Sequence, residues 1–401
     1  MALKKGYKGF KSYEYLEAGV DFPWIEPAEE TNEFEPYLIE LTPAQEDKVA
    51  EIEAKYPVIS LHEHVNTFPK DITRSLEYAN NGRVLTAYKG LAESNLDAVF
   101  DNLLDGVCFI TSKHGWKWDD VIYDLGMRCC DIAHQDFLIK CGSVDDILRA
   151  KKEGKIAWIP TIEGAAMIEN ELDRIDMLYG FGVRLMGLTY SEANGIGCGI
   201  KEEHDGGLTK FGEEVVDRMN RIGMAIDLSH VGEQTAADAI AASTKPILIT
   251  HTGARSLWPS KRLKTDDVMK ACAEKGGVIG VEAAPHTTLT PNNLEHNIEG
   301  IMEHFEYIKN LVGIDHVSFG PDTTYGDHVG LHNAAAKTLS LKQVQAAGGA
   351  SFPHVQYVKG MENPTEAFRN VVRWLVKHDY AEEDIAKVIG GNTLRALREI
   401  W

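Results

Sequence analysis

Six ionisable residues sit where short apolar runs stop. "VISLHEH" ends in His62 and His64, "AWIPTIE" in Glu163, "MAIDLSH" in His230, "PILITH" in His251 and "VSFGPD" in Asp322. If "VISLHEH" is extended, residues two apart project from one face, so His62 and His64 point together and Glu63 points away. Two imidazoles on one face at a strand end make half of a site for a divalent cation such as zinc. A carboxylate with two oxygens, Glu163, can span two ions, and a second one, Asp322, can take a proton from water. A lone histidine at a strand end is usually a satisfied core or rim residue. Six ligand-type residues at equivalent places in successive runs require a shared purpose.

The elements that must position them are short strands alternating with amphipathic helices. The strand candidates are "PVISLH", "GVCFIT", "IAWIPTIE", "VRLMGLTY", "MAIDLSH", "PILITH", "GGVIGVEA" and "HVSFGPD". Between them lie helical patterns such as "GEEVVDRMNRIG" and "TDDVMKACAEKGG". Near-continuous apolar strands separated by helices indicate a parallel sheet covered by helices. Eight such units predict an α/β protein of the (β/α)8 TIM-barrel type, which brings all strand ends to one rim. A doubly wound open sheet is the alternative, but no glycine-rich nucleotide fingerprint follows the first strand.

Residues 1–43 read as an irregular surface arm, and 44–401 as the barrel with its C-terminal helices. Thr42 and Pro43 suit the N-cap and first position of a helix over "PAQEDKVAEIEAKY". The stretch from Thr323 to about Lys359 has weak periodicity and follows the last strand, which places it as a long loop over the mouth of the barrel. The chain then returns to helix in "PTEAFRNVVRWLVKHDY" and "AEEDIAKVIGGNTLRALREIW".

Bulk properties narrow the partners. With 61 acidic and 41 basic residues the formal charge is −20, which argues against nucleic acid and anionic membrane surfaces. The N-terminal stretch is basic but lacks the apolar core of a signal peptide, and no run approaches the roughly 18 apolar residues of a membrane span. The cysteines at 108, 129, 130, 141, 198 and 272 show no CxxC pairing, so buried free thiols are expected, with Cys129 and Cys130 adjacent in a helix. These features predict a cytoplasmic protein, with self-association left open.

The segments "GLTKFGEEVVDRMNRIGMAIDLSHVG", "PILITHTGARSL", "GIDHVSFGPD" and "YAEEDIAKVIGGNTLRALREIW" resemble the renal (membrane) dipeptidase family of metallopeptidases, a branch of the amidohydrolase-like barrels. The resemblance runs from about Pro57 to Trp401 and is most specific between Gly207 and Asp322. It implies a binuclear zinc site in which a bridging hydroxide cleaves an amide bond of a dipeptide-like substrate. His62 and His64 would hold the first metal, Glu163 would bridge, and His230 and His251 would hold the second. Asp322 would sit beside the first metal and manage the proton of the attacking water. Arg262, in "WPSKRLKTDD", matches an arginine that grips the substrate carboxylate.

Two positions depart from the family. The residue two beyond His62 is usually Asp and here is His64, which removes one negative charge from the ligand set. The residue after "LT" tends to be His and here is Tyr190, a phenol that can still donate a hydrogen bond near the developing oxyanion. The alternative reading is another amidohydrolase-type reaction on a carboxylate-bearing small molecule: hydrolysis of an N-acyl amino acid or lactone, or decarboxylation. Other residues weigh less. His204, His328, His332 and His354 read mainly as surface histidines, Trp116 and Trp118 as packing residues, and Asp227 and Asp315 as supporting or structural carboxylates.

Overall fold

A computed structural model describes residues 6–103, 117–339 and 352–401, with side chains for all of these except 335–339. Eight strands form the centre: β1 (Ile59–Glu63), β2 (Ala98–Leu103), β3 (Ile156–Ile162), β4 (Leu185–Gly187), β5 (Ala225–Asp227), β6 (Leu248–Thr252), β7 (Val278–Val281) and β8 (Val317–Phe319). Each pairs in parallel with the next, in chain order. The ring closes between β8 and β1 at their C-terminal ends. There the Asp322 N–H donates to the His62 carbonyl (3.1 Å) and the His64 N–H to the Thr323 carbonyl (2.9 Å). The result is a nearly closed parallel (β/α)8 barrel.

The strands are apolar on both faces because both faces are covered. Alternate residues enter two separate packed clusters: Phe100, Ile159, Leu248 and Val278 join one, and Val99, Trp158, Ile249 and Ile279 the other. The helices follow ordinary rules. In Lys210–Ile222, Thr209 Oγ1 accepts from the Gly212 N–H (2.9 Å) to cap the start. Val215, Val216 and Met219 fall on one buried stripe, and Gly223 ends the helix at φ 79°. Helix Pro43–Lys55 begins with Thr42 and Gln45 in a reciprocal capping box, with Pro43 in its first turn.

Three expectations change. The run "GVCFIT" lies outside the described residues, as do Cys108 and Trp116, and the second barrel strand is Ala98–Leu103, some residues earlier. The segment after Asp322 is not wholly irregular: His328–Leu339 is a helix, because "NAAAKTL" is rich in strong helix formers. Cys130 is exposed, although it is a free thiol on the expected helix Trp118–Ala133. The arm contains no helix or longer strand among its described residues, yet it is tied down. Asp131 accepts hydrogen bonds from Ser12 Oγ (2.6 Å) and the Tyr13 N–H (2.7 Å). The Ile39 N–H donates to Asn370 Oδ1 (2.9 Å), and Arg373 Nε donates to the Ile39 carbonyl (2.7 Å).

Glu63 points away from the histidine pair and locks the barrel seam. Its Oε2 accepts from the Thr323 N–H (2.8 Å) and Oγ1 (2.7 Å), and its Oε1 from Ser60 Oγ (3.0 Å). Burial pushes its carboxyl up to about 8, against the pull of the Thr323 bonds. Glu63→Gln, which keeps an acceptor oxygen for Thr323, is expected to cost less than about 1 kcal/mol. Glu63→Leu strands the buried N–H and hydroxyl of Thr323 and is expected to cost about 2–4 kcal/mol. Urea unfolding midpoints of the two variants separate these outcomes.

Candidate metal centre

The C-terminal rim of the barrel carries the residues that the sequence singled out. His62 is the next-to-last residue of β1 and His64 directly follows the strand. Glu163 follows β3, His230 lies three residues past β5, and His251 is in β6. Asp322 lies three residues past β8 with φ 58°, a left-handed backbone that Asp tolerates better than most residues. All six are buried.

They form two linked groups. Asp322 Oδ1 lies 3.2 Å from the Nε2 atoms of both His62 and His64. Glu163 Oε1 lies 2.8 Å from His230 Nε2 and 3.3 Å from His251 Nε2. The same Glu163 oxygen is 3.8 Å from His62 Nε2 and so connects the groups. Within each group the ligand atoms lie inside 4.8 Å of one another, the spacing of donors that can close around one cation.

The hydrogen-bonding of the rings fits that use. The far nitrogen of a metal-ligating imidazole normally donates to an oxygen, leaving the near lone pair for the ion. His64 Nδ1 lies 3.0 Å from the Asn102 carbonyl, which can only accept. His251 Nδ1 lies 2.8 Å from Thr250 Oγ1, which itself donates to Asp227 Oδ2 (2.8 Å). His230 Nδ1 lies 3.4 Å from Ser191 Oγ. In this tautomer Nε2 of each ring is a bare acceptor facing carboxylate oxygens and its neighbours. His230 Nε2 and His251 Nε2 are 3.1 Å apart, an arrangement that a shared cation stabilises. Burial holds His62, His230 and His251 below the usual imidazole range, the last two well below it, which keeps them neutral and able to ligate. Burial also pushes Asp322 up, but the neighbouring His62 and His64 outweigh it and hold the carboxyl well below the usual range.

Asp227 is the buried base of this support. Its Oδ1 accepts from the Thr250 N–H (2.8 Å) and Ser229 Oγ (2.7 Å), and its Oδ2 from Thr250 Oγ1. Asp227→Asn breaks the acceptor chain behind His251. It is expected to weaken metal retention at the Glu163–His230–His251 group by about 10- to 100-fold, measured by chelator competition.

The remaining candidates divide. Tyr190 is half-buried, with its ring 4.4 Å from that of His230. Arg262 is buried on the loop after β6. Its Nη1 donates to the His251 carbonyl (3.2 Å), its Nη2 makes a close ion pair with Glu282, and Nη2 is 3.8 Å from Asp322 Oδ2. His328 is buried rather than on the surface, with its ring 4.8 Å from that of His332. His204 and His354 are exposed. Asp315 makes a 2.8 Å surface ion pair with Lys387. Trp118 packs beneath the Arg174 guanidinium.

Three site residues escaped the sequence reading. Asn102 is the next-to-last residue of β2, and its amide nitrogen lies 3.2 and 3.3 Å from the two ring nitrogens of His62. Glu282 follows β7, is fully buried, and belongs to a ligand-type group with His251 and Asp322. Burial raises its carboxyl to about 7, opposed by Arg262. Lys264 is buried, donates to the Val231 carbonyl, and is lowered by burial to about 7. Glu282 had a signal: it is an ionisable residue at the end of "GGVIGVE", like Glu163 at the end of its own run.

Fold and donor set together define a candidate metal centre at the rim of a (β/α)8 barrel. A family profile described as membrane dipeptidase (peptidase family M19) matches residues 46–340. The chain belongs to that family. Dipeptidase tcpJ of Claviceps purpurea is 27% identical over 280 residues, covering 69% of this chain but 58% of its own length. The chain thus spans less than two thirds of that relative. An uncharacterized protein in the pqqA 5′ region of Klebsiella pneumoniae is 31% identical over 200 residues, 48% of this chain and 74% of that protein. Among solved structures, an amidohydrolase from Pseudomonas aeruginosa superposes with a TM-score of 0.71 at 26% identity, over 88% of this chain and 99% of the other. A metallopeptidase from Rhodobacter sphaeroides, determined with a phosphinate mimic of the dipeptide L-Ala-D-Ala, shares the fold with a TM-score of 0.64 at 19% identity, over 86% and 99%. Among the described residues no helix is long and apolar enough to cross a membrane.

Proposed function

We propose that this protein is a binuclear zinc hydrolase of an amide or closely related acyl bond in a small molecule. The observation that carries the reading is one carboxylate oxygen, Glu163 Oε1, within 2.8–3.8 Å of the Nε2 atoms of His230, His251 and His62. A carboxylate set among three buried imidazoles would suit a pair of ions: His62, His64 and Asp322 would hold one, His230 and His251 the other, with Glu163 between them. When bound, a zinc pair polarises the scissile carbonyl and lowers the pKa of water towards neutrality.

The chain's own groups supply the rest. Asp322 accepts a proton from the attacking water at a carboxylate oxygen and returns it to the leaving amine. Thr250, Asp227, Ser191 and the Asn102 carbonyl hold three imidazoles in the ligating tautomer. Tyr190, whose ring packs 4.4 Å from that of His230, would donate its hydroxyl hydrogen to the carbonyl oxygen as negative charge develops there. Arg262 presents its charge beside Asp322, in the region where the polar end of a substrate would lie.

The test is elemental analysis of the purified protein, followed by a hydrolysis screen of the zinc-loaded enzyme against dipeptides, N-acyl amino acids, esters and lactones. Two ions per chain and turnover of at least one acyl class are expected. One ion at saturation, or no acyl turnover with the metals loaded, would hand first place to a decarboxylase-type reaction.

A further inference from the structure

Arg262 is the residue expected to grip a substrate carboxylate, but its guanidinium already faces carboxyl groups of the chain itself. A bidentate grip needs two N–H groups held parallel to the carboxylate. Here Nη1 is committed to the His251 carbonyl at 3.2 Å. Nη2 meets the Glu282 carboxylate as a close ion pair, with Asp322 Oδ2 a further 3.8 Å neighbour. Arg262 and Glu282 are both buried, so water does little to screen their charges. Their origins are independent: Arg262 comes from the loop after β6, and Glu282 directly follows β7 on the same rim.

We propose that Glu282 occupies the anion-binding position of Arg262, so that the substrate presents an uncharged polar group there, the carbonyl of an amide, ester or lactone, and not a free carboxylate. A substrate carboxylate would have to share one guanidinium with Glu282 and Asp322, which crowds three carboxyl groups around one cation in a buried site. A carbonyl oxygen accepts a hydrogen bond there without adding charge. Glu282 is thus a specificity-determining residue, and it falls at the rim of a site whose ligand set has lost one carboxylate through His64. This rests on the hydrolase reading above, and it replaces a carboxylate-bearing substrate with a neutral-ended one.

The test measures binding, not turnover. Zinc-loaded wild type and Glu282→Gln are titrated calorimetrically with a phosphinate mimic of Ala-Ala bearing a free C-terminal carboxylate, and with its C-terminal carboxamide. Metal content is measured on the same samples. Wild type is expected to bind the carboxamide about tenfold or more tightly than the carboxylate. Glu282→Gln is expected to gain about tenfold or more for the carboxylate and to stay within about threefold for the carboxamide, with metal content unchanged. Glu282→Asp, which withdraws the carboxylate by one methylene, should move in the same direction and serves if the Gln variant does not fold. A wild-type preference for the carboxylate, or a ratio unchanged by the variants, overturns the proposal. Loss of an ion in Glu282→Gln overturns it too, by making Glu282 a metal ligand. If neither probe binds the fully loaded wild type, the hydrolase reading fails first and this proposal falls with it.

Discussion

Asp322→Asn is expected to yield a folded protein whose turnover is lower by about 100- to 10,000-fold, the usual worth of a positioned proton acceptor. The backbone that holds residue 322 does not depend on its charge. Its N–H donates to the His62 carbonyl, and Asn tolerates the left-handed φ of 58° as well as Asp does. What the amide loses is the ability to accept a proton. Asp322 is suited to proton transfer because its carboxylate oxygen lies 3.2 Å from the Nε2 atoms of both His62 and His64, at the group that would hold the first ion. Ions at the Glu163–His230–His251 group should stay bound, because Asp322 is not part of that group. The check is kcat on the best substrate of the acyl screen, with metal content and circular dichroism on the same sample. Turnover within a few-fold of wild type would remove Asp322 from proton transfer.

The convergence of these six residues was legible in the sequence because two regularities coincide. Strands covered on both faces read as apolar runs, and a barrel delivers the residue after each run to one rim. His62 and Asp322 are 260 positions apart, yet their side chains meet at 3.2 Å. The same logic hid Ala98–Leu103. Asp101 and Asn102 break its apolar run, and their partners are far away in the chain: Asp101 accepts from the Val65 N–H (3.1 Å) and Trp158 Nε1 (2.7 Å), and Asn102 from Thr161 Oγ1 (2.9 Å). Polar residues in a strand look like loop until their partners are known. Helix His328–Leu339 was obscured by Gly330 and two histidines, which blur the period that marks an amphipathic helix. Arg262 shows a different limit. Its type and place suggested an anion grip, but whether its charge is available depends on Glu282, a neighbour that only the fold supplies.

Glu163→Gln is expected to have the broadest effect, because one oxygen serves both halves of the centre. Gln has nearly the volume of Glu, so packing around a buried position is preserved. The charge is lost, and one of the two oxygens becomes an NH2 group, whose hydrogens repel a cation and cannot ligate. Removing a supporting outer partner typically weakens a metal site by about 10- to 100-fold, and replacing a residue that touches both ions should exceed that at each of them. Metal analysis after gel filtration is therefore expected to fall from two ions in the wild type to fewer than one in the variant. Thermal melting gives a second readout. A ligand present at 100 times its dissociation constant stabilises the folded state by about 2.7 kcal/mol, so added zinc should raise the melting temperature of the wild type and leave that of Glu163→Gln nearly unmoved. Asp227→Asn, which acts only behind His251, should lose affinity at one ion alone. If Glu163→Gln retains two ions, the histidines hold their metals independently, and the shared position of Glu163 Oε1 among three imidazoles has another cause.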